Sequence, residues 1–326
     1  MVVSEKQKAL LDLFPVPEFL LLSTTGVVIK DTDTRFVQLR RKIFGRGFEL
    51  AHASKIDNPK GSVESGLINN PDELANVLRE FSSHYGVSYV KAILPEEKAY
   101  LFTANIGQVS PEGMKDAVAF IIEENAPVAL AESVFDFEVV GEDLGTGEMR
   151  VAVSVLPKNI VSAYVTLFES AGITPISFDL ESRAIARAVI RKGNKQPILI
   201  INLSTKKTGF YVVEKEVVQF STMLAYSLAV DDSGSGSKEF LREEMRKVIA
   251  FWNAHTGSKI EKIILCGSGG SKTALVDKFM GGSEIPYTTA DVWLKMSRSN
   301  NYVPEITFGE SLGYASAIGL ILPRDR

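Results

Sequence analysis

The stretch ILIINLSTKKTGFYVV runs from Ile198 to Val213. It is apolar from Ile198 to Asn202, turns polar through Ser204-Thr205-Lys206-Lys207, and is apolar again from Gly209. Strand, tight polar turn, strand is the reading. The same pattern stands earlier in the chain. An apolar, β-rich run over Phe19–Ile29 meets the polar segment Lys30–Arg35 and then Phe36–Leu39. Thr34 and Thr208 each close the polar turn, and each precedes an aromatic residue, Phe36 or Phe210, by two positions. A pattern that restarts is the mark of a repeated unit. Any two hairpins look alike, however, and on this pattern alone coincidence is the simpler explanation.

Between the hairpins the chain changes character. Tyr100–Ile106 reads as a strand, and Ser110-Pro111-Glu112-Gly113 opens a helix with a serine cap and a proline in its first turn. Pro127 blocks its continuation. Two strands follow, Val134–Glu142 and Arg150–Leu156, and then a helix from Lys158 that ends at Gly172. Residues 100–172 therefore form a compact α+β unit. Upstream, a short amphipathic helix is expected over Lys6–Leu13, further short strands within Gly45–Gly66, and a helix over Asn70–Tyr85 with acids in its first turn. Downstream, Asp231–Ser237 is a linker by composition, Lys238–His255 a helix, and Gly309–Leu322 a closing helix whose Gly313, Ala315, Ala317 and Gly319 permit close packing.

Composition narrows the function. With 326 residues, two lobes are expected. A net charge of −4 gives no basic face for nucleic acid. One cysteine, Cys266, excludes an internal disulfide, and three scattered histidines give no metal-ligand spacing. No signal peptide is expected, and the longest uncharged runs, Val217–Val230 and Ser311–Pro323, are too short to span a bilayer.

Two stretches carry candidate chemistry. Ile263–Cys266 runs as an apolar strand into Gly267-Ser268-Gly269-Gly270, with a helix expected from Ser271. Glycines admit a ligand close to the backbone, and unpaired N–H groups at a helix start attract phosphate. A plain strand–helix turn is the alternative. In Phe178-Asp179-Leu180-Glu181-Ser182, two carboxylates stand between a strand and an Ala-rich helix. Asp179 reads as a helix cap, while Glu181 stays open as an acid at a strand's carboxyl end. Asp31, Asp33 and Thr34 read as a solvated hairpin tip rather than a metal site. No serine, histidine and aspartate are spaced as a hydrolytic triad.

Taken in order from Gly26 to Pro323, these blocks resemble the PilM proteins of type IV pilus systems, relatives of the actin-like division protein FtsA. The resemblance rests on Gly26–Arg41; on Glu123-Glu124-Asn125-Ala126-Pro127 and Phe135-Asp136-Phe137-Glu138-Val139; on Ala171-Gly172-Ile173-Thr174-Pro175 with Asp179-Leu180-Glu181 and Ala186-Arg187; on Glu243–Arg246; and on Ala-Ile-Gly-Leu at Ala317–Leu320. It implies an α/β, actin-like (ribonuclease H-like) fold of two lobes. Residues 1–99 and 173–197 would form the first lobe, 100–172 an inserted α+β subdomain, and 198–326 the second lobe. It implies a site for ATP with Mg²⁺ between the lobes, at Lys30, Thr32 and Thr34, at Asn202, Ser204 and Thr208, and at Gly267, Gly269, Gly270 and Ser271, with Glu181 as the water-orienting acid.

The chain departs from the family where phosphate and metal would sit. Asp-Ile-Gly-Ser is here Val28-Ile29-Lys30-Asp31, and Asp-x-Gly is Asn202-Leu203-Ser204. The family's long helical segment after the second hairpin is replaced by Asp231–Ser237. Losing carboxylates and close-approach glycines there costs orders of magnitude in turnover. The expectation is weak nucleotide binding and little or no hydrolysis, in a cytoplasmic scaffold peripheral to the inner membrane. Its implied partner is the cytoplasmic tail of a PilN-like bitopic membrane protein, lying along Met114, Val118 and Ile121, with core packing as the alternative fate of those side chains. A sugar or acetate kinase using Glu181 or Asp179 as base, and an FtsA-like division protein, are the competing readings. The first calls for intact phosphate-loop acids and the second for a C-terminal amphipathic helix.

Overall fold

The computed structural model describes residues 24–41, 48–142, 146–226, 235–271, 273–296 and 304–323. The helix expected over Lys6–Leu13 lies outside these residues, as does the start of the run from Phe19. The first sheet opens with β1 (Thr24–Ile29), β2 (Asp33–Arg41) and β3 (Phe48–Asp57), each antiparallel to the one before. A small hairpin of β4 (Val63–Glu64) and β5 (Leu67–Ile68) leads to helix α1 (Pro71–Tyr85). The apolar stripe of α1, Leu74, Leu78 and Phe81, is buried, and Gly86 takes the left-handed conformation (φ 64°) that ends the helix. Strand β6 (Tyr89–Leu94) then returns parallel to β1.

The inserted unit holds β7 (Tyr100–Ile106), α2 (Met114–Asn125), β8 (Ser133–Glu142) and β9 (Met149–Pro157), with the strands in the antiparallel order β7-β9-β8. Helix α2 starts later than expected. Residues 110–113 form a turn in which the Gly113 amide donates to the Ser110 carbonyl at 3.0 Å and to its Oγ at 3.3 Å. Helix α3 (Lys158–Ser170) ends before Gly172 (φ 74°), as the sequence indicates. Its buried side chains, Ile160, Tyr164, Leu167 and Phe168, join the core built around α1, not the separate core of the inserted sheet. By packing, the subdomain proper therefore stops at β9. Strand β10 (Thr174–Leu180) completes the first sheet parallel to β6 and runs into α4 (Glu181–Val189).

The second sheet is built on β11 (Ile198–Leu203), β12 (Thr208–Glu214) and β13 (Val217–Leu224), again antiparallel in sequence. Helix α5 (Ser235–Thr256) takes up the last three residues of the expected linker as its first turn. Then come β14 (Lys262–Cys266), α6 (Thr273–Met280) and β15 (Tyr287–Thr289), with β14 parallel to β11 and β15 parallel to β14. The expected closing helix is broken into α7 (Phe308–Ser311), one 3₁₀ turn and α8 (Ala315–Ile321).

The sheet orders are β3-β2-β1-β6-β10 and β13-β12-β11-β14-β15. Order and strand direction coincide position by position, so the resemblance between the hairpins is a true structural repeat and not coincidence. Each sheet covers its outer face with its own helices, and a third core joins the two lobes through α4 and α8. There the small residues act. A Cβ at Gly319 would lie 1.8 Å from the Ala184 carbonyl oxygen, and one at Gly26 would lie 2.5 Å from that of Ala317. Only glycine lets α8 cross α4 and β1 this closely.

Candidate functional site

The two hairpin turns face each other across the lobes. In the first, Ile29 pairs with Thr34 and Val27 with Phe36; in the second, Leu203 pairs with Thr208 and Ile201 with Phe210. The Lys30 amide donates to the Asp33 carbonyl at 2.9 Å, and the Ser204 amide to the Lys207 carbonyl at the same distance. Residues 30–33 thus match 204–207. The turns line a cleft of about 70 Å³ together with Glu96 and Glu97 after β6, Glu181 at the start of α4, and Ser268.

Two lysines cross this cleft in opposite directions. Lys207, from the second lobe, pairs with Asp31 Oδ2 at 2.9 Å in the first turn and with Glu97. Lys30, from the first turn, stands 3.4 Å from Glu181 Oε1 and donates to Ser204 Oγ at 3.4 Å. Burial works against the charge of Lys207, but hydrogen bonds and attraction from Glu97 and Asp31 raise its pKa above the ordinary lysine value. Glu181 also accepts from the Tyr211 hydroxyl at 3.5 Å and the Ser316 hydroxyl at 3.4 Å. Behind it, Glu96 is buried and accepts from the Ser182 amide at 3.0 Å and from Ser221 Oγ. Desolvation pushes the Glu96 carboxyl above the usual range despite those donors.

The first hairpin tip is not solvated as expected. Asp33 is buried and its Oδ1 lies 2.6 Å from Arg35 Nε, while Arg35 also donates to the Gly313 carbonyl and lies over the Tyr314 ring at 5.4 Å. Burial opposes ionisation of Asp33, but Arg35 prevails and holds its pKa below the ordinary value.

The expected site residues divide. Lys30, Thr32, Ser204 and Glu181 line the cleft. Thr34 and Thr208 are fully buried and donate instead to Asn58 Oδ1 at 2.7 Å and to the Tyr226 carbonyl at 2.8 Å. Asn202 is buried against Cys266, whose thiol donates to its Oδ1 at 3.8 Å. The glycine loop does not present the unpaired amides expected of it. Gly267 N–H donates to the Leu312 carbonyl, Gly269 N–H to that of Leu203, and Gly270 N–H to that of Gly267. Gly267 (φ 83°) leaves no room for a Cβ beside Leu203, so this loop is made of glycine in order to pack on the end of β11. Ser271 does not open the next helix, which starts at Thr273; its hydroxyl donates to the Ser268 carbonyl at 3.1 Å. Asp179 does not cap α4. It binds that helix through Arg187 Nη2 at 2.6 Å and Arg183 Nε at 3.7 Å. Of the expected partner residues, Val118 is fully buried in the subdomain core, while Met114 and Ile121 are half-buried beside it. Lys207, Glu97 and Arg35 were missed by sequence reasoning. The double lysine at the second turn was the one available signal.

The family model for type IV pilus assembly protein PilM matches residues 26–226. The chain belongs to the PilM family. Among solved structures it resembles a chain of the PilM-PilN type IV pilus biogenesis complex, with a TM-score of 0.76 at 17% identity, covering 92% of this chain and 97% of that one. It also resembles the cytoplasmic domain of EpsL, an inner membrane component of the type II secretion system of Vibrio cholerae, with a TM-score of 0.51 at 10% identity, over 91% of this chain and 94% of that one. The ethanolamine utilization protein EutJ from Carboxydothermus hydrogenoformans gives the same TM-score and identity over 94% and 90%. No curated protein matches the chain. The PilM assignment places the chain in type IV pilus assembly, and the fold is the actin-like one that the resemblance implies. Among the described residues of this PilM-family chain, no cluster of three histidine, cysteine or carboxylate ligands could hold a metal ion. No described helix is long and apolar enough to cross a membrane.

Proposed function

We propose that this chain is a scaffold of the pilus inner-membrane platform whose nucleotide cleft is held closed by its own ion pairs. The carrying observation is Lys207, which crosses from the second turn to Asp31 and Glu97 of the first lobe. An incoming triphosphate would have to draw Lys207 from two carboxylates and Lys30 from Glu181. It would meet neither unpaired glycine amides in the loop after β14 nor a ready set of metal ligands. The cleft residues therefore fit Mg-nucleotide poorly, and ordinary ATPase turnover is not expected of them. The kinase reading loses support for the same reason, since the carboxylate of Glu181 is engaged by Lys30, Tyr211 and Ser316.

The partner in this reading is the cytoplasmic tail of a PilN-like bitopic membrane protein, which would bring the chain to the bilayer. It would lie on the inserted subdomain along α2, where Met114 and Ile121 remain accessible and Phe120 is 69% exposed. Extended tails bind through backbone pairing and a few side-chain pockets. The test is fluorescence anisotropy of a labelled tail peptide with the full chain. Binding that is equal with and without Mg-ATP, and abolished by Phe120→Asp in a protein with unchanged circular dichroism, is expected. Binding that requires Mg-ATP overturns the scaffold reading, and binding unaffected by Phe120→Asp overturns the location.

A further inference from the structure

A second cluster of charges lies outside the cleft, where the subdomain meets the body. Asp136 and Glu138 alternate along β8, so they share one face of the strand. Both reach Arg183 in the first turn of α4, with Nη1 to Asp136 Oδ2 at 2.9 Å and Nη2 to Glu138 Oε1 at 2.8 Å. Asp179 stands behind the same guanidinium at 3.7 Å. Arg183 is 8% exposed, and three carboxylates balance a charge that burial disfavours. A planar fork spanning two carboxylates fixes orientation as well as distance.

A cavity of about 90 Å³ flanks the latch on the side of Glu138 and Arg187, and an open groove of about 620 Å³ lies on the side of Asp136 and Phe178. On the far side of the subdomain, Leu101 of β7 packs into the core between the lobes. The subdomain thus has an apolar pivot at Leu101 and an ionic latch at Arg183.

Glu181 and Arg183 are two residues apart on α4. At 3.6 residues per turn their side chains diverge by roughly 200°. One faces Lys30 in the cleft and the other faces the subdomain. The helix between them is wedged against α8 at Gly319, and Arg187 ties it there by donating to the Gly319 carbonyl at 2.7 Å. A helix held on both faces passes a displacement on instead of absorbing it.

We propose that Arg183 is a positioning residue that latches the inserted subdomain to the body and couples its placement to the pairing of Glu181 in the cleft. This rests on neither nucleotide nor partner binding. Cys266 is the single cysteine and is buried, so cysteines introduced at exposed Lys60 and Glu123 can be spin-labelled in the full chain. Pulsed electron–electron resonance should give one narrow distance between lobe and subdomain. Arg183→Gln should at least double its width. Asp136→Asn with Glu138→Gln should do the same from the exposed side of the latch, a check that survives if Arg183→Gln fails to fold. Lys30→Ala should shift the mean distance when Arg183 is present and leave it in place in the latch-broken background. Unchanged widths in the latch variants overturn the latch. A Lys30→Ala shift that is absent, or equal in both backgrounds, overturns the coupling.

Discussion

The first turn, Lys30–Asp33, and the second, Ser204–Lys207, have the same backbone closure and the same strand register but opposite use of their last residue. Asp33 turns inward to Arg35 of its own hairpin, whereas Lys207 reaches out to Asp31 and Glu97 of the other lobe. The loops after the matching strands β6 and β14 differ as well, since one carries Glu96-Glu97 and the other Gly267-Ser268-Gly269. A duplicated backbone therefore leaves its side chains free to diverge. The cleft between the turns is occupied by lysine–carboxylate pairs.

The largest effect should come from breaking what the lobes share. Gly319→Val places a branched side chain where even a Cβ would lie 1.8 Å from the Ala184 carbonyl oxygen. We expect a loss of about 3 kcal/mol or more, or failure to fold, read from urea midpoints. Gly107→Ala, where a Cβ meets nothing within 4 Å, should shift the midpoint little. Equal effects at the two positions would remove the packing argument for α8.

Next in size is Lys207→Glu, which sets a third carboxylate against Asp31 and Glu97. Its side chain is partly exposed, so about 2 kcal/mol is expected, less than for a fully buried pair. The variant should also raise hydrogen exchange in both turns. The matching change in the first lobe, Asp33→Asn, should leave the second turn protected. Exchange rising equally in both lobes for both variants would erase the contrast between the turns.

The pH dependence sharpens the comparison further. Asp33 is held below its ordinary 3.8, so its contribution is present above that value and is lost as pH falls through the lower folded value. Lys207 is held above 10.5, so its contribution is present below that value and is lost only as pH rises through the higher folded value. Glu96 has the opposite sign to Asp33. With a folded value above 4.5, its ionisation costs stability as pH climbs from 4.5 through that value. Glu96→Gln should therefore gain on the wild type as pH rises. A stability difference that does not change as pH rises from below 4.5 into the neutral range would contradict the raised carboxyl of Glu96.

Much of the fold was legible because it is local. Alternation of apolar residues, the turn at Lys30–Asp33 and the glycines after α1 and α3 act within a few residues of themselves. The repeat was visible only as a pattern, because strand order is a property of pairing between distant segments. The site was less legible for the same reason. Lys207 and Asp31 are far apart in sequence, and nothing near either one announces the other. The glycine loop is open to two readings in the sequence because glycine serves equally a ligand's approach and the backbone's own, and here Leu203 packs against it. Arg183 and the Phe135–Val139 motif each stand out in the sequence, but only the fold shows that they meet.

Lysine–carboxylate pairs occupy the cleft, so Mg-nucleotide should enter it poorly. Isothermal titration calorimetry of the full chain with Mg-ATP, paired with a phosphate-release assay on the same sample, tests this most directly. We expect weak or undetectable binding and no release above background, with Lys207→Ala binding more tightly than wild type. Tight binding by the wild type together with phosphate release at about 1 s⁻¹ or faster would contradict it.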